Sequence, residues 1–276
     1  MAEPEHAPVR TYLRTGAGQV HAQLTGPAGG RPVVLLHQTP RSVDEYAELA
    51  PLLAAAGLRT VALDTPGFGA SDPPPAHTIG DYAAGVLGAL DTLGLDRFAV
   101  LGHHTGGVIA VEVAALAPRR VSALVLSSTP YVDAATREHR RGRASIDAVE
   151  VAGDGGHLTA LWNARAPHYP PGRPDLLERF VRDALAAGPV AREAGHAAVG
   201  AFRMEERVPL VRCPVLCLGA DADPFAFPHL EPLARALGAG TALIRGGTVA
   251  VMEQCADEVA DVVTGWLARV AEEDAP

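Results

Sequence analysis

At 276 residues the chain has room for one large domain, or for one domain carrying an insertion. Hydrophobic residues make up 48% of it, enough for a sizeable core and too many for intrinsic disorder. A formal net charge of −9, with no basic stripe along the chain, argues against a nucleic-acid partner.

In chain order, RTYLRTGAGQVHAQLTG (10–26) alternates around a glycine turn and predicts an antiparallel hairpin at a sheet edge. Short apolar runs follow at PVVLLH (32–37), RTVALD (59–64), RFAVLG (97–102), VSALVLSS (121–128), CPVLCLG (213–219) and TALIRG (241–246). They lack polar alternation, as strands buried on both faces do. Between and after them, 43–57, 79–94, 107–117 and 257–270 carry apolar residues at helical spacing, with Gly, Asp or Pro near their ends. Alternating strand and helix predicts an α/β fold: a mostly parallel sheet covered on both faces.

The rhythm breaks between 133 and 208, where helical pieces and the turn APHYPPGRP (166–174) replace the strands. An inserted helical cap is expected there, dividing the core into residues 1–132 and 209–276. Arg137, Arg140, Arg141 and Arg143 form a brief basic run among acidic neighbours, which reads as a solvated helix face. Cys213, Cys217 and Cys255 are too few for a disulfide framework and lack zinc spacing. The polar start MAEPEHAP has no signal-peptide core, and no apolar run reaches the roughly 20 residues that span a bilayer. A reduced, cytoplasmic protein without a membrane partner is the expectation.

Four segments at strand ends carry chemistry: HQTPRS (37–42), DTPGFGASD (64–72), GHHTGG (102–107) and GADADPF (219–225). In this order and spacing they resemble the α/β-hydrolase superfamily over nearly the whole chain. DTPGFGASD is similar to its D-x-x-G-x-G-x-S loop, and GHHTGG to its nucleophile elbow, G-x-nucleophile-x-G. The elbow's glycines, Gly102 and Gly106, let a strand end pass close to a helix start. The apex is His104, where the family places a serine, cysteine or aspartate. His103 beside it, and His37, are expected to support their loops.

The resemblance implies further roles. The Thr105 backbone N–H, with one from Thr39 or Gln38, would stabilise an oxyanion. Gln38 stands where the family has a glycine, and its amide could face the substrate. Asp223, with Asp221 as the competing assignment, matches the family's acid. The family's catalytic histidine is missing: IRGGTVAVMEQ (244–254) has Thr248 or Val249 at that place. His104 could reach into the vacancy, with Asp223 holding one ring nitrogen while the other faces substrate. Arg41 is a candidate for binding a substrate anion, or else an ion-pair partner of Asp44 or Glu45. Trp162, His168 and Tyr169 could cover a substrate or form the cap's own core, with Trp162 read as core.

These residues imply acid/base catalysis without cofactor or metal on a small, largely apolar molecule. Elimination, cyclisation, isomerisation and decarboxylation are the reactions this reading favours. Two alternatives stand beside it: hydrolysis, with His104 activating water or acting as nucleophile, and a non-catalytic binder of a ligand or partner protein. The sequence leaves substrate and oligomeric state open.

Overall fold

A computed structural model describes residues 7–273. Most of the polar N-terminal stretch, read above as free of a signal peptide, lies outside them. Eight strands form one sheet in the order β1-β2-β4-β3-β5-β6-β7-β8. They are β1 (Val9–Thr15), β2 (Gly18–Thr25), β3 (Arg31–Leu36), β4 (Leu58–Leu63), β5 (Phe98–His103), β6 (Val121–Ser127), β7 (Val215–Ala220) and β8 (Gly240–Ile244). The edge hairpin β1–β2 is antiparallel and β2 runs antiparallel to β4; from β4 through β8 all neighbours are parallel. This is the mostly parallel sheet that the strand rhythm predicts, in the α/β-hydrolase arrangement that the motif resemblance implies.

The apolar runs lack alternation because each strand feeds two cores. Val34, Leu36, Val100, Leu124 and Leu126 face one cluster, beside Phe98, Tyr82 and Val111. Val33, Leu35, Leu101, Ala123 and Val125 face the other, beside Leu49, Leu53, Val259 and Val263. The first core is covered by α2 (Ile79–Thr92) and α3 (Thr105–Leu116). The second is covered by α1 (Leu49–Ala55) and α10 (Ala256–Glu273). Burying a large aliphatic side chain contributes roughly 1.5–3 kcal/mol, so these two layers carry most of the driving force for folding.

Between β6 and β7 the chain forms α4 (Ala134–Arg140), α5 (Gly156–Arg165), α6 (Pro174–Ala201) and the short α7 (Met204–Arg207). Helix α6 breaks at Gly188, whose φ of 75° only glycine adopts readily, just before Pro189. These helices have a small apolar cluster of their own, with Leu161, Tyr169, Leu176, Leu177 and Phe180. Two more short helices, α8 (Leu230–Leu237) and α9 (Val251–Gln254), flank β8.

The inserted region is unevenly anchored. Helix α4 buries no residue and α5 buries only Leu161 and Arg165, whereas every residue of β5 and β6 is buried. Hydrogen exchange should therefore be faster across 134–158 than across 98–127, because local opening there exposes little apolar surface. Equally slow protection in both segments would contradict an independently opening cap.

Candidate active site

The site grows from the C-terminal ends of β3 and β5, which lie side by side, and of β7, separated from β5 by β6. Leu36 at the end of β3 pairs with Gly102 near the end of β5. Ligand crevices of open α/β sheets form at such strand ends. At the end of β5 the chain turns sharply into α3. A Cβ on Gly102 would lie 2.2 Å from the Gly106 carbonyl oxygen, and one on Gly106 would lie 1.8 Å from that of Leu36. Only glycine permits this turn.

His104 occupies its apex with φ 47° and ψ −113°, a conformation that costs a non-glycine residue about 1–3 kcal/mol. Strain of this kind persists where the surrounding fold over-determines it. The apex side chain is thereby held at the wall of a cavity of about 1310 Å³, whose lining also includes Gln38, Thr39, Thr105 and Phe225.

The His104 ring reaches toward the loop after β7. Its Nε2 lies 2.7 Å from Oδ2 of Asp223, in the loop after β7. Nε2 donates that bond, which leaves Nδ1 as the acceptor; among the described residues Nδ1 has no partner. Asp223 is fully buried, and its other oxygen accepts from the Phe225 and Ala226 amides at 3.0 and 3.3 Å. Burial works against its charge, yet the adjacent His104, followed by His103 and the Phe225 amide, brings its pKa down to about 2. Asp221 is elsewhere: it is exposed and its carboxylate accepts from the Gly246 amide, tying the turn after β8.

His103 and His37 are held by hydrogen bonds on both ring nitrogens. His103 Nε2 donates to the Val249 carbonyl at 3.0 Å, and Nδ1 accepts from the Ser127 hydroxyl at 3.2 Å. Burial lowers the pKa of His103, and the neighbouring His104 ring adds to this. His37 Nδ1 donates to the Gln38 carbonyl at 2.8 Å, and Nε2 accepts from the Thr65 amide at 3.0 Å. Val249 is itself fully buried, while Thr248 donates its hydroxyl proton to Gln254. The loop after β8 therefore turns inward and presents no base to the cavity.

Several expected contacts are redistributed. Gln38 is no oxyanion donor, because its backbone N–H donates to Glu45 at 3.0 Å. Its side-chain amide donates to Glu45 at 2.6 Å and to the Val249 carbonyl at 3.2 Å. Thr39 and Thr105 both line the cavity, and neither backbone N–H has an acceptor among the described residues. Arg41 does not face substrate. It is fully buried, with Nε 2.9 Å from Asp183 of α6 and Nη1 2.8 Å from Glu253 of α9. Asp44, one expected partner, sits farther off at 3.6 Å.

Tyr169 is buried in the cap cluster and Trp162 packs against it, so neither covers the cavity. His168 reaches the rim indirectly, stacked edge-on against Phe225 at 4.6 Å. The basic run is solvated only in part: Arg141 and Arg143 are exposed as expected, Arg137 and Arg140 are half-buried, and all four border the cavity. His229, which the sequence reading passed over, lines it too. Its place six residues after Asp223, on the same loop, was the available signal.

Comparison with known proteins follows the same lines. The family described as having the alpha/beta hydrolase fold matches residues 31–188, more than half of the chain. The chain belongs to the alpha/beta hydrolase fold family. A haloalkane dehalogenase from Psychrobacter cryohalolentis is 35% identical over 114 residues, 40% of this chain and 38% of that protein. Epoxide hydrolase B from Mycobacterium tuberculosis is 34% identical over 128 residues, 45% of this chain and 36% of that protein. The matches thus span less than two-fifths of either relative's length. In three dimensions the chain is similar to the enol-lactonase from Burkholderia xenovorans LB400. The TM-score is 0.79, with 20% identity, over 94% of this chain and 100% of that one. That likeness concerns the fold alone.

Among the described residues no cluster of three or more His, Cys, Asp or Glu side chains is arranged to hold a metal ion. No described helix is long and apolar enough to cross a membrane.

Proposed function

We propose that the protein is a hydrolase of small carbonyl compounds, such as esters or lactones, in which the His104–Asp223 pair activates water directly. The observation that carries this reading is the 2.7 Å contact between His104 Nε2 and Asp223, with Nδ1 left unpartnered at the cavity wall. His104 Nδ1 takes a proton from water as the water oxygen bonds the carbonyl carbon. The carbonyl electron pair moves onto oxygen, where the Thr39 and Thr105 amides receive it. Collapse of the tetrahedral species expels the alkoxide, which takes the proton back from Nδ1. Asp223 keeps the ring oriented and stabilises its charged form.

The lyase- or cyclase-type reading would use the same proton-transfer pair. The relatives named above, a dehalogenase and an epoxide hydrolase, favour hydrolysis instead. The open cavity and two unpartnered amides favour catalysis over mere binding.

Direct water attack has a distinct signature. In a single turnover of an ester or lactone the protein should gain no acyl mass at any time, and in H₂¹⁸O the solvent oxygen should appear in the acid product and none in a protein carboxylate. A serine-directed phosphonate should neither label the protein nor slow it. An acyl-protein adduct on the reaction timescale, or inactivation by the phosphonate, would overturn the proposal.

A further inference from the structure

We propose that the cavity in front of His104 takes a substrate bearing a carboxylate away from the bond that reacts, and that Arg140, with Arg143 beside it, binds that carboxylate. This rests on the hydrolase reading for the bond that breaks and adds the second group by which the substrate is held.

The chain as a whole is acidic, at −9, yet this cavity is lined by Arg137, Arg140, Arg141, Arg143 and Arg165, against Glu193 as the acid among its lining residues. Three of these arginines are already neutralised. Arg137 pairs with Glu205, Arg141 with Glu138, and Arg165 with Asp147. Arg140 is different: it is half-buried at the end of α4, and no acidic partner meets it among the described residues. Burial lowers its pKa, and no neighbouring acid offsets that effect. Arg143, exposed at the mouth, contacts the His139 ring at 2.9 Å and likewise has no carboxylate partner.

A partly desolvated guanidinium without a counterion is an unfavourable arrangement, and an incoming anion relieves it. The planar fork of Arg matches a carboxylate in a bidentate pair. Arg140 also belongs to the same site as the reacting pair. His229 lines the same cavity and senses both: its pKa is lowered first by burial and then by Arg140, while Asp133 and Asp223 raise it and His104 lowers it. A molecule reaching from His104 to Arg140 would place its carboxylate at the α4 side of this cavity and its scissile bond at the elbow. A largely apolar substrate would leave this cationic wall unused.

The test separates binding from turnover. Isothermal titration would compare ω-phenylalkanoates, from phenylacetate to 6-phenylhexanoate, with their primary amides. A charge-assisted pair of this kind is worth roughly tenfold to a hundredfold in affinity. The wild type should prefer at least one carboxylate over its amide by that factor, with the preference shrinking as salt is raised. Arg140→Gln should abolish it, Arg140→Lys should retain part of it, and His104→Ala should keep it. Melting temperatures identify any variant that fails to fold, and Arg143→Gln then provides an independent reading at the mouth.

Turnover of monoethyl and diethyl adipate supplies the second arm. Arg140→Gln should raise KM for the half-ester and leave the diester unchanged. Equal binding of carboxylates and amides throughout the series, or a preference untouched by the arginine substitutions, would overturn the proposal even if both esters are hydrolysed. An Arg140-dependent preference without hydrolysis of any ester would uphold the anion site and remove the hydrolytic reading.

Discussion

His104→Ala should lower kcat by about 10²–10⁴-fold, the usual contribution of a positioned proton-transfer group. The fold should persist, because the apex side chain packs at the cavity wall and the elbow's backbone path depends on Gly102 and Gly106. Relief of the apex strain works in the same direction only in part, since alanine inherits the positive φ. His104→Ser, which restores the family's customary apex, should be no better than alanine. Its hydroxyl would find Thr248 and Val249 where a base is needed, and Val249 is fully buried. The measurement is steady-state kinetics with melting temperatures on the best ester or lactone found. Wild-type turnover in folded His104→Ala would leave only cavity shape as the source of any activity.

The second large effect falls on stability. Arg41→Ala should destabilise the protein by about 3–5 kcal/mol, the usual cost of breaking a buried ion pair from one side. Arg41 is the shared partner of Asp183 on α6 and Glu253 on α9, so its loss leaves Asp183 with Arg182 at 3.2 Å and Glu253 with Arg179 no nearer than 3.7 Å, and loosens the cap from the core. Burial works against the charge of Arg41, but Glu253, Tyr169, Glu45 and Asp183 more than offset it.

Glu253 gives this site a pH dependence. Burial raises its pKa from 4.5 to about 7, against the pull of Arg41. The unfolded chain therefore releases this proton first, and between these two values the folded state binds more protons. Stability linked to Glu253 is fully present below pH 4.5 and is lost as pH rises through about 7. Denaturant titrations at pH 5 and pH 8 should show the wild type losing stability at the higher pH, with Glu253→Gln flattening that slope. The cost of Arg41→Ala should likewise be smaller at pH 5, where Glu253 is mostly protonated. A pH-independent cost would show that Glu253 does not titrate in this range.

Much of the site was legible because its determinants are local or bound to strand ends. Gly102 and Gly106 flag a turn that only glycine can make, and runs such as PVVLLH reveal strands buried on both faces. The reach of His104 toward Asp223 was an expectation available from sequence, since an imidazole is longer than a serine side chain and both residues follow strands of the parallel sheet, β5 and β7, with β6 between them.

What sequence hid were partnerships between distant segments. Arg41 looks like a loop cation, but Asp183, 142 residues away, and Glu253 enclose it. Gln38 looks like a substrate-facing amide, yet Glu45 takes up both its backbone and side-chain donors. The run from Arg137 to Arg143 reads as a solvated face because charge pattern alone does not say that it borders the cavity lined by His104.

The most direct test of the account is a double-mutant cycle on His104→Ala and Asp223→Asn, read as kcat/KM with melting temperatures alongside. If the two residues move one proton together, Asp223→Asn alone should cost less than His104→Ala. The double variant should then be scarcely slower than His104→Ala, a coupling well beyond the 0.3–0.5 kcal/mol or so within which independent sites add. Strictly additive losses would contradict the account, because they would mean that Asp223 acts without passing through His104.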